Sequence, residues 1–310
     1  MILVTGINGF VGKHLTRELA GQNIEVMGVG NNEPMADPEI ADLLNDYRQV
    51  DITNKNEVAA LDLRKIDAII NLAGLANVGA SFANPELYMN VNVNVLLVLG
   101  EELLRQNPKA RMLAVSTGAV YDSSQEMPLS EDSTIVENGS PYAMSKIAME
   151  GIGAELRQKG LDCVIARPFN HIGPGQGLGF LIPDMITKLE TARKTNTITV
   201  GNIQTSRDYT DVRDIVKAYA NLATSKEIID ENVFNVCSGV SIKGEEIIKK
   251  LCKIMVINFS NLTIDVDRSL VRPSDPMQIY GDCSRLREAT GWRPTINLDQ
   301  TLKDIYDQYT

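Results

Sequence analysis

The sequence predicts an α/β protein built on a mostly parallel sheet, and two observations carry that expectation. Apolar, strand-like runs recur at 2–5, 24–29, 66–72, 110–116 and 161–166. Longer segments with helical spacing separate most of them, which is the alternation that right-handed βαβ units produce. The chain has 310 residues, 44% hydrophobic and 23% charged, so it can fill a core and falls between one large domain and two ordinary ones. The expectation is one compact unit with two lobes.

Each element has its own support. A further strand is expected at 47–50. Helices expected at 85–106 and 141–159 both open on proline, whose fixed φ and missing N–H suit a first helical turn. After Arg167-Pro168-Phe169-Asn170 the pattern changes to a glycine-rich loop at 171–179, followed by a helix near 181–193, and this is where a second lobe should begin. Short strands near 197–200 and 233–236 then mix with helices near 212–222, 243–255 and 298–309. No repeat, low-complexity tract or flexible linker interrupts the chain, which favours interleaved lobes. The expected division is 1–170 with about 203–238 in the first lobe, and 171–202 with 239–310 in the second.

Composition narrows the partners. A formal charge of −10 opposes a nucleic-acid backbone, because phosphate neutralisation needs a basic face. Cys163, Cys237, Cys252 and Cys283 are widely spaced without a CxxC pair, and there are only two histidines, so neither a zinc site nor a disulfide framework is expected. The greasy run 91–99 is too short to span a bilayer and contains Asn92 and Asn94. No cationic, apolar leader precedes the strand at Met1-Ile2-Leu3-Val4, so a soluble cytoplasmic protein is expected.

The first motif is Thr5-Gly6-Ile7-Asn8-Gly9-Phe10-Val11-Gly12, which follows a strand and enters a helix. Gly6 permits a tight turn, Gly9 lets the backbone approach a pyrophosphate, and Gly12 allows close helix packing. The spacing is GxxGxxG rather than GxGxxG. Asp51-Ile52 follows a strand and is placed to meet an adenine, with an ordinary helix-capping Asp as the alternative. Asn71-Leu72-Ala73-Gly74 ends the fourth strand at the carboxyl edge, where such ligands lie. Beyond the second strand an acidic residue would select NAD and an arginine NADP, but the chain offers Gly30-Asn31-Asn32. The cofactor is therefore read as NAD(P), leaning to NAD because no basic residue is adjacent.

The second motif is Ser140-Pro141-Tyr142-Ala143-Met144-Ser145-Lys146. Residues i and i+4 share a helix face, so Tyr142 and Lys146 can point into one cleft. A free phenol has a pKa of about 10, and a nearby ammonium favours phenolate, which makes Tyr142 a usable acid or base. Ser116-Thr117-Gly118-Ala119-Val120-Tyr121 leaves a strand at the same edge, where the Thr117 hydroxyl can bond a reacting oxygen. A solvated helix face and a simple turn are the alternatives for these two segments.

Taken together these segments resemble the extended short-chain dehydrogenase/reductase family, specifically its nucleotide-sugar-modifying members. The resemblance runs through Thr5 to Gly12, Asp51-Ile52, Asn71 to Gly74, Asn92 in the fourth helix, Thr117 to Tyr121, Tyr142 to Lys146 and Arg167 to Asn170. It implies a Rossmann-type doubly wound sheet, a smaller interleaved carboxyl-terminal lobe that binds substrate, and a homodimer formed through a four-helix bundle. It also implies a cofactor seat made of the glycine turn with Phe10 and Val11, then Asn31, Asp51, Ile52, Leu72, Ala73, Gly74, Asn92, Ser116, Tyr142, Lys146 and Pro168. Thr117, Tyr142 and Lys146 would be catalytic, with Ser116 supporting the turn.

Dehydratases of this family carry an acid and a carboxylate directly after the catalytic threonine, where this chain has Gly118 and Ala119. Fucose-synthase-like enzymes carry a cysteine at the position of Ala119. Direct reduction of a keto sugar, or oxidation and re-reduction as in a 4-epimerase, needs neither. Phe169 to Gln176, Gly201 to Asp214 and the 271–294 segments resemble the GDP-4-keto-6-deoxy-D-mannose reductase branch, which implies that Asn170, Arg207 and Arg272 hold the diphosphate and nearby sugar atoms. An acidic protein must place guanidinium groups to bind a pyrophosphate, although pairing of these arginines with Asp208 or Asp275 is the alternative. His171 is expected to pack and His14 to sit on a helix surface.

The expected reaction is NAD(P)H-dependent reduction at C4 of an NDP-4-keto-6-deoxyhexose, first GDP-4-keto-6-deoxy-D-mannose to GDP-D-rhamnose. A reductase of a dTDP- or UDP-linked sugar, a 4-epimerase, and a silent cofactor-sensing binding protein are the alternatives.

Overall fold

The computed structural model describes residues 1–31, 37–225, 231–270 and 276–309. Its first half runs β1 (Ile2–Thr5), α1 (Phe10–Gly21), β2 (Val26–Gly30), α2 (Pro38–Leu43), β3 (Asp46–Gln49), α3 (Lys55–Ala59), β4 (Ala68–Asn71), α4 (Val78–Ala83), α5 (Pro85–Gln106), β5 (Arg111–Val115) and α6 (Pro141–Gln158). The second half runs β6 (Asp162–Pro168), β7 (Asn170–Ile172), α7 (Leu181–Thr195), β8 (Thr197–Val200), β9 (Ser206–Asp211), α8 (Val212–Thr224), β10 (Val233–Val236), β11 (Ser241–Lys243), α9 (Gly244–Ile254), β12 (Thr263–Val266), β13 (Gln278–Ile279), α10 (Ser284–Thr290) and α11 (Leu298–Asp307).

Seven strands form one sheet in the order β10-β6-β5-β4-β1-β2-β3, with every neighbouring pair parallel. The order reverses direction between β1 and β4, so a crevice opens beyond Thr5 and Asn71, the place where doubly wound sheets receive ligands. Alternation along each strand assigns the two faces. Ile2 and Val4 of β1 with Ile70 of β4 pack against Leu15 and Leu19 of α1 and Ile215 and Tyr219 of α8. Leu3 and Ile69 point the other way, toward Val95, Leu96 and Leu99 of α5 and Met149 and Leu156 of α6. α5 and α6 approach closely because Gly100 has no side chain; a methyl group there would run into Leu156.

Taken whole, α5 is long and apolar enough to cross a membrane, which corrects the expectation drawn from residues 91–99 alone. Half of its most apolar window is buried inside the protein, and it buries Asn92 and Glu102 along with its leucines. It is a core helix whose apolar residues cover the sheet.

The smaller lobe contains a four-stranded sheet of β11, β9 and β13 with β7 added on β9, and a separate pair, β8 and β12. Its core joins Ile182, Ile186 and Leu189 of α7, Ile247 and Leu251 of α9, and Leu302 and Ile305 of α11. Two segments differ from expectation. The first residues of the predicted glycine-rich loop form β7, because His171 and Ile172 pair with Thr210 and Asp211. Residues 206–211 form β9, an extended segment whose polar residues obscure its period-two pattern. Asn92 lies on the fifth helix rather than the fourth, since the short α4 precedes it.

Candidate active site

The glycine turn is built around backbone contacts that leave no room for side chains. Gly6 has φ +66, and a Cβ there would lie 3.0 Å from the Ala73 nitrogen. At Gly12 a Cβ would lie 2.5 Å from the Ile7 carbonyl oxygen and 2.6 Å from that of Gly6. Gly9 caps α1 without a side-chain hydrogen bond, and the first turn carries no acidic residue. The helix start therefore presents free N–H groups and a positive dipole end toward the crevice, as a pyrophosphate requires.

Phe10 and Val11 are half-buried at that helix start, and the Phe10 ring stacks on His171 at 6.4 Å. Asn8 leaves its Oδ1 buried without a partner, beside Gly30 at the end of β2, where a Cβ would also meet the Tyr47 hydroxyl at 2.8 Å. These features fit a dinucleotide: a cradle that only glycine can line, next to an unsatisfied polar atom. Thr5 Oγ1 donates to Asn71 Oδ1 and accepts from the Ala73 N–H, which fixes the chain at Leu72 and Ala73 where β1 meets β4. Asn31 is exposed at the end of β2 and Ile52 half-buried beyond β3. Asp51 is exposed and accepts from the N–H and hydroxyl of Thr53; the residue that caps α3 is Asn54.

The second half of the site is a seam between the end of β5 and the first three turns of α6. Ser140 caps α6 by accepting from the Ala143 N–H, with Pro141 in the first turn. Tyr142, Lys146 and Glu150 then follow at intervals of four on one helix face. Opposite them the chain leaves β5 through Val115, Ser116 and Thr117. The Thr117 side chain acts on the Tyr142 phenol and favours its phenolate, and Thr117 Oγ1 accepts from the Ala119 N–H. Lys146 Nζ donates to the Val115 carbonyl at 2.8 Å, and Ser116 Oγ donates to Glu150 Oε1.

Burial sets the titration of this pair. It raises the Tyr142 phenol above its ordinary value, with Thr117 opposing. It lowers Lys146 to about 8, with Glu150 opposing. The sequence expectation that Lys146 depresses the phenol is corrected: its ammonium is turned to the Val115 carbonyl, and Thr117 is the group that favours phenolate. At neutral pH the seam holds a protonated phenol beside an ammonium, an arrangement suited to giving a proton to an oxygen that gains charge.

Asn92 and Gly74 close the far side. Asn92 exchanges hydrogen bonds with Leu75 and donates to Ser145 Oγ at 2.9 Å, and a Cβ on Gly74 would lie 2.8 Å from its Oδ1 and 3.5 Å from Lys146 Nζ. Pro168 ends β6 beside Val236. Tyr88, not anticipated from sequence, stands edge-on to Tyr142.

The residues expected to hold substrate are less uniform. Asn170 is exposed on β7. The Arg207 guanidinium donates to the carbonyls of Ser206 and Pro276, while Asp208 points elsewhere, accepting from the N–H and hydroxyl of Ser238 and the N–H of Gly239. Arg272 and Asp275 lie outside the described residues. His14 is not a surface residue: its Nε2 lies 2.8 Å from the Pro174 carbonyl and its ring meets Phe10 edge-on, so it ties α1 to the loop after β7. His171 packs as expected.

Residues 3–305 match the family model described as GDP-mannose 4,6 dehydratase. The chain belongs to that family. It is 32% identical to a GDP-6-deoxy-D-mannose reductase of Pseudomonas aeruginosa, over 99% of this chain and 96% of the relative. It is 31% identical to a GDP-6-deoxy-D-talose 4-dehydrogenase of Aggregatibacter actinomycetemcomitans, over 94% and 91%. The structure of RMD from Pseudomonas aeruginosa complexed with NADPH superposes with a TM-score of 0.83 at 31% identity, covering 99% of this chain and 98% of that one. The chain is thus a nicotinamide-dependent oxidoreductase of the nucleotide-sugar-modifying type. Directly after Thr117, neither Gly118 nor Ala119 carries a side chain that can move a proton.

Proposed function

We propose that this protein reduces the C4 keto group of an NDP-4-keto-6-deoxyhexose, with GDP-4-keto-6-deoxy-D-mannose as substrate and GDP-D-rhamnose as product. The observation that carries the reading is the seam itself: the Tyr142 phenol, the Thr117 hydroxyl and the Lys146 ammonium line it together, and the two positions after Thr117 hold no second acid or base. Gly118 backs onto the Phe169 ring, with 3.2 Å between the ring and the place of a Cβ, and Ala119 is exposed and inert.

When bound, the reduced nicotinamide supplies the hydride. The glycine turn, Phe10, Val11, Asn31, Asp51, Ile52, Leu72, Ala73, Gly74, Asn92, Ser116 and Pro168 would hold the cofactor, and Lys146 would meet its ribose. Thr117 polarises the carbonyl oxygen and Tyr142 gives it a proton. Asn170, Arg207 and Arg272 are assigned to the diphosphate and sugar of the substrate. The relative's structure with NADPH supports use of a reduced nicotinamide, and the preference for NADH or NADPH is read by assay. We divide the lobes as 1–170 with about 203–238 and 171–202 with 239–310, β9 reaching across to pair with β11 and β13 while α8 and β10 return to the large sheet.

We also propose a homodimer through α5 and α6, supported by the exposed Leu87 and Met89 on α5 and Phe82 just before it. Light scattering should give twice 34.0 kDa. A soluble cytoplasmic location accords with this biosynthetic role.

The test is a panel of GDP-, dTDP- and UDP-linked 4-keto-6-deoxyhexoses with NADH and with NADPH. Fastest cofactor consumption with the GDP-linked sugar supports the reading. Interconversion of NDP-hexoses without added cofactor and without net absorbance change would replace it with a 4-epimerase.

A further inference from the structure

The lacing of β5 to α6 has three rungs, and the reaction as described uses only two. Thr117 acts on the Tyr142 phenol, the Val115 carbonyl accepts from Lys146, and between them Ser116 Oγ donates to Glu150 Oε1. Glu150 is held in turn from the neighbouring strand, where Arg167 of β6 donates from Nε to Oε1 at 2.9 Å and from Nη2 to Oε2 at 2.6 Å. Arg167 is fixed from behind by the Tyr121 hydroxyl at 2.9 Å, which itself donates to Asn235 Oδ1 at 2.7 Å. Such a bidentate, nearly buried carboxylate has one orientation.

We propose that Glu150 is a positioning residue of the reaction: clamped by Arg167, it fixes Ser116 and thereby the register in which Thr117 meets Tyr142 and Val115 meets Lys146. The inference deepens the reductase reading and rests on it for the word reaction. Two features separate this from an ordinary core ion pair. Ser116 is buried beside the catalytic threonine, so a slip of its backbone moves both neighbouring rungs. Glu150 also lies one helical turn from Lys146 and is the charge that opposes the loss of the lysine's proton on burial. The other groups around the pair are Tyr142 on the same helix, Arg167 on β6, and behind it Tyr121 and Glu131. The Arg167 charge counters part of Glu150's field at Lys146, and the remainder acts on the lysine.

Glu150→Gln keeps the shape and an acceptor for Ser116 while removing the charge. In the full chain carrying 13Cε-lysine, with the Lys146 signal identified by its loss in Lys146→Arg, the Lys146 midpoint should fall by about one pH unit in Glu150→Gln and return in Glu150→Asp. With the keto sugar, kcat of Glu150→Gln should fall about tenfold or more while KM for the cofactor stays within about twofold. Ser116→Ala, which leaves the charge in place, should lower kcat about tenfold without moving the midpoint. An unmoved Lys146 midpoint in Glu150→Gln, or a kcat loss no larger than the loss of folded protein measured by circular dichroism, overturns the proposal. The lysine titration needs no substrate, so a wild-type chain that reduces no keto sugar defeats the reductase reading and leaves the placement of Glu150 still testable.

Discussion

Tyr88 stands edge-on to Tyr142, with ring centroids 6.4 Å apart and planes at 87°, and donates its hydroxyl to the Asn77 carbonyl at 2.6 Å. The contact restricts the Tyr142 ring from the side of α5, and the hydrogen bond ties α5 to the loop before α4. Tyr88→Phe keeps the ring and should cost about 1 kcal/mol in urea unfolding, with kcat within about threefold of wild type. Tyr88→Ala opens a cavity against Tyr142 and should cost about 3 kcal/mol or more with a larger loss of kcat.

Gly12→Ala places a methyl group against two backbone carbonyls, those of Ile7 and Gly6, neither of which can rotate away. Relaxation must move α1 off the turn. The expected outcome is a loss of about 1–3 kcal/mol of stability and at least tenfold weaker binding of NADH and NADPH by fluorescence titration. Unchanged binding would show that the turn does not seat the cofactor.

Lys146, lowered by burial to about 8, sets an alkaline limit. On the proposed role of Lys146 at the cofactor ribose its ammonium is the active form, so kcat should hold below pH 8 and decline above it. Stability has the opposite sign: between pH 8 and the ordinary lysine value of 10.5 the unfolded chain binds more protons than the folded one, so unfolding becomes less favourable as pH rises through that window. Comparing wild type with Lys146→Met in denaturant at pH 7 and pH 10 isolates the effect.

Asp208 is buried, and burial raises its carboxyl above the ordinary range against the donors that surround it, Ser238, Gly239 and Gly281. Asp208→Asn turns an amide toward groups that are themselves donors. The small-lobe loop at 238–239 should loosen, with a loss of about 3 kcal/mol and little change in NAD(P)H binding, measured by denaturation and titration on the same samples.

The parallel sheet was legible because β1, β4, β5 and β6 are short apolar runs between long helices, a pattern that burial on both faces enforces. The face shared by Tyr142 and Lys146 was legible from helical spacing alone. What sequence did not show depends on long-range partners. Glu150 sits at the same spacing as Lys146, but its importance comes from Arg167, 17 residues away on another strand, and from Ser116, 34 residues back. His14 reads as surface until Pro174 is brought against it. β7 and β9 were not legible because they are polar strands: Ser206, Asp208, Thr210 and Asp211 are buried without being apolar, so the usual alternation of apolar residues is missing.

The central claim is that Tyr142 is the proton donor of a single reduction. Stopped-flow measurement of NADPH oxidation by Tyr142→Phe with GDP-4-keto-6-deoxy-D-mannose tests it most directly, because the substitution removes only the hydroxyl. The account predicts a rate lower by about 10²–10⁴-fold, with NADPH and substrate affinities within about threefold of wild type. A rate within threefold of wild type would contradict it.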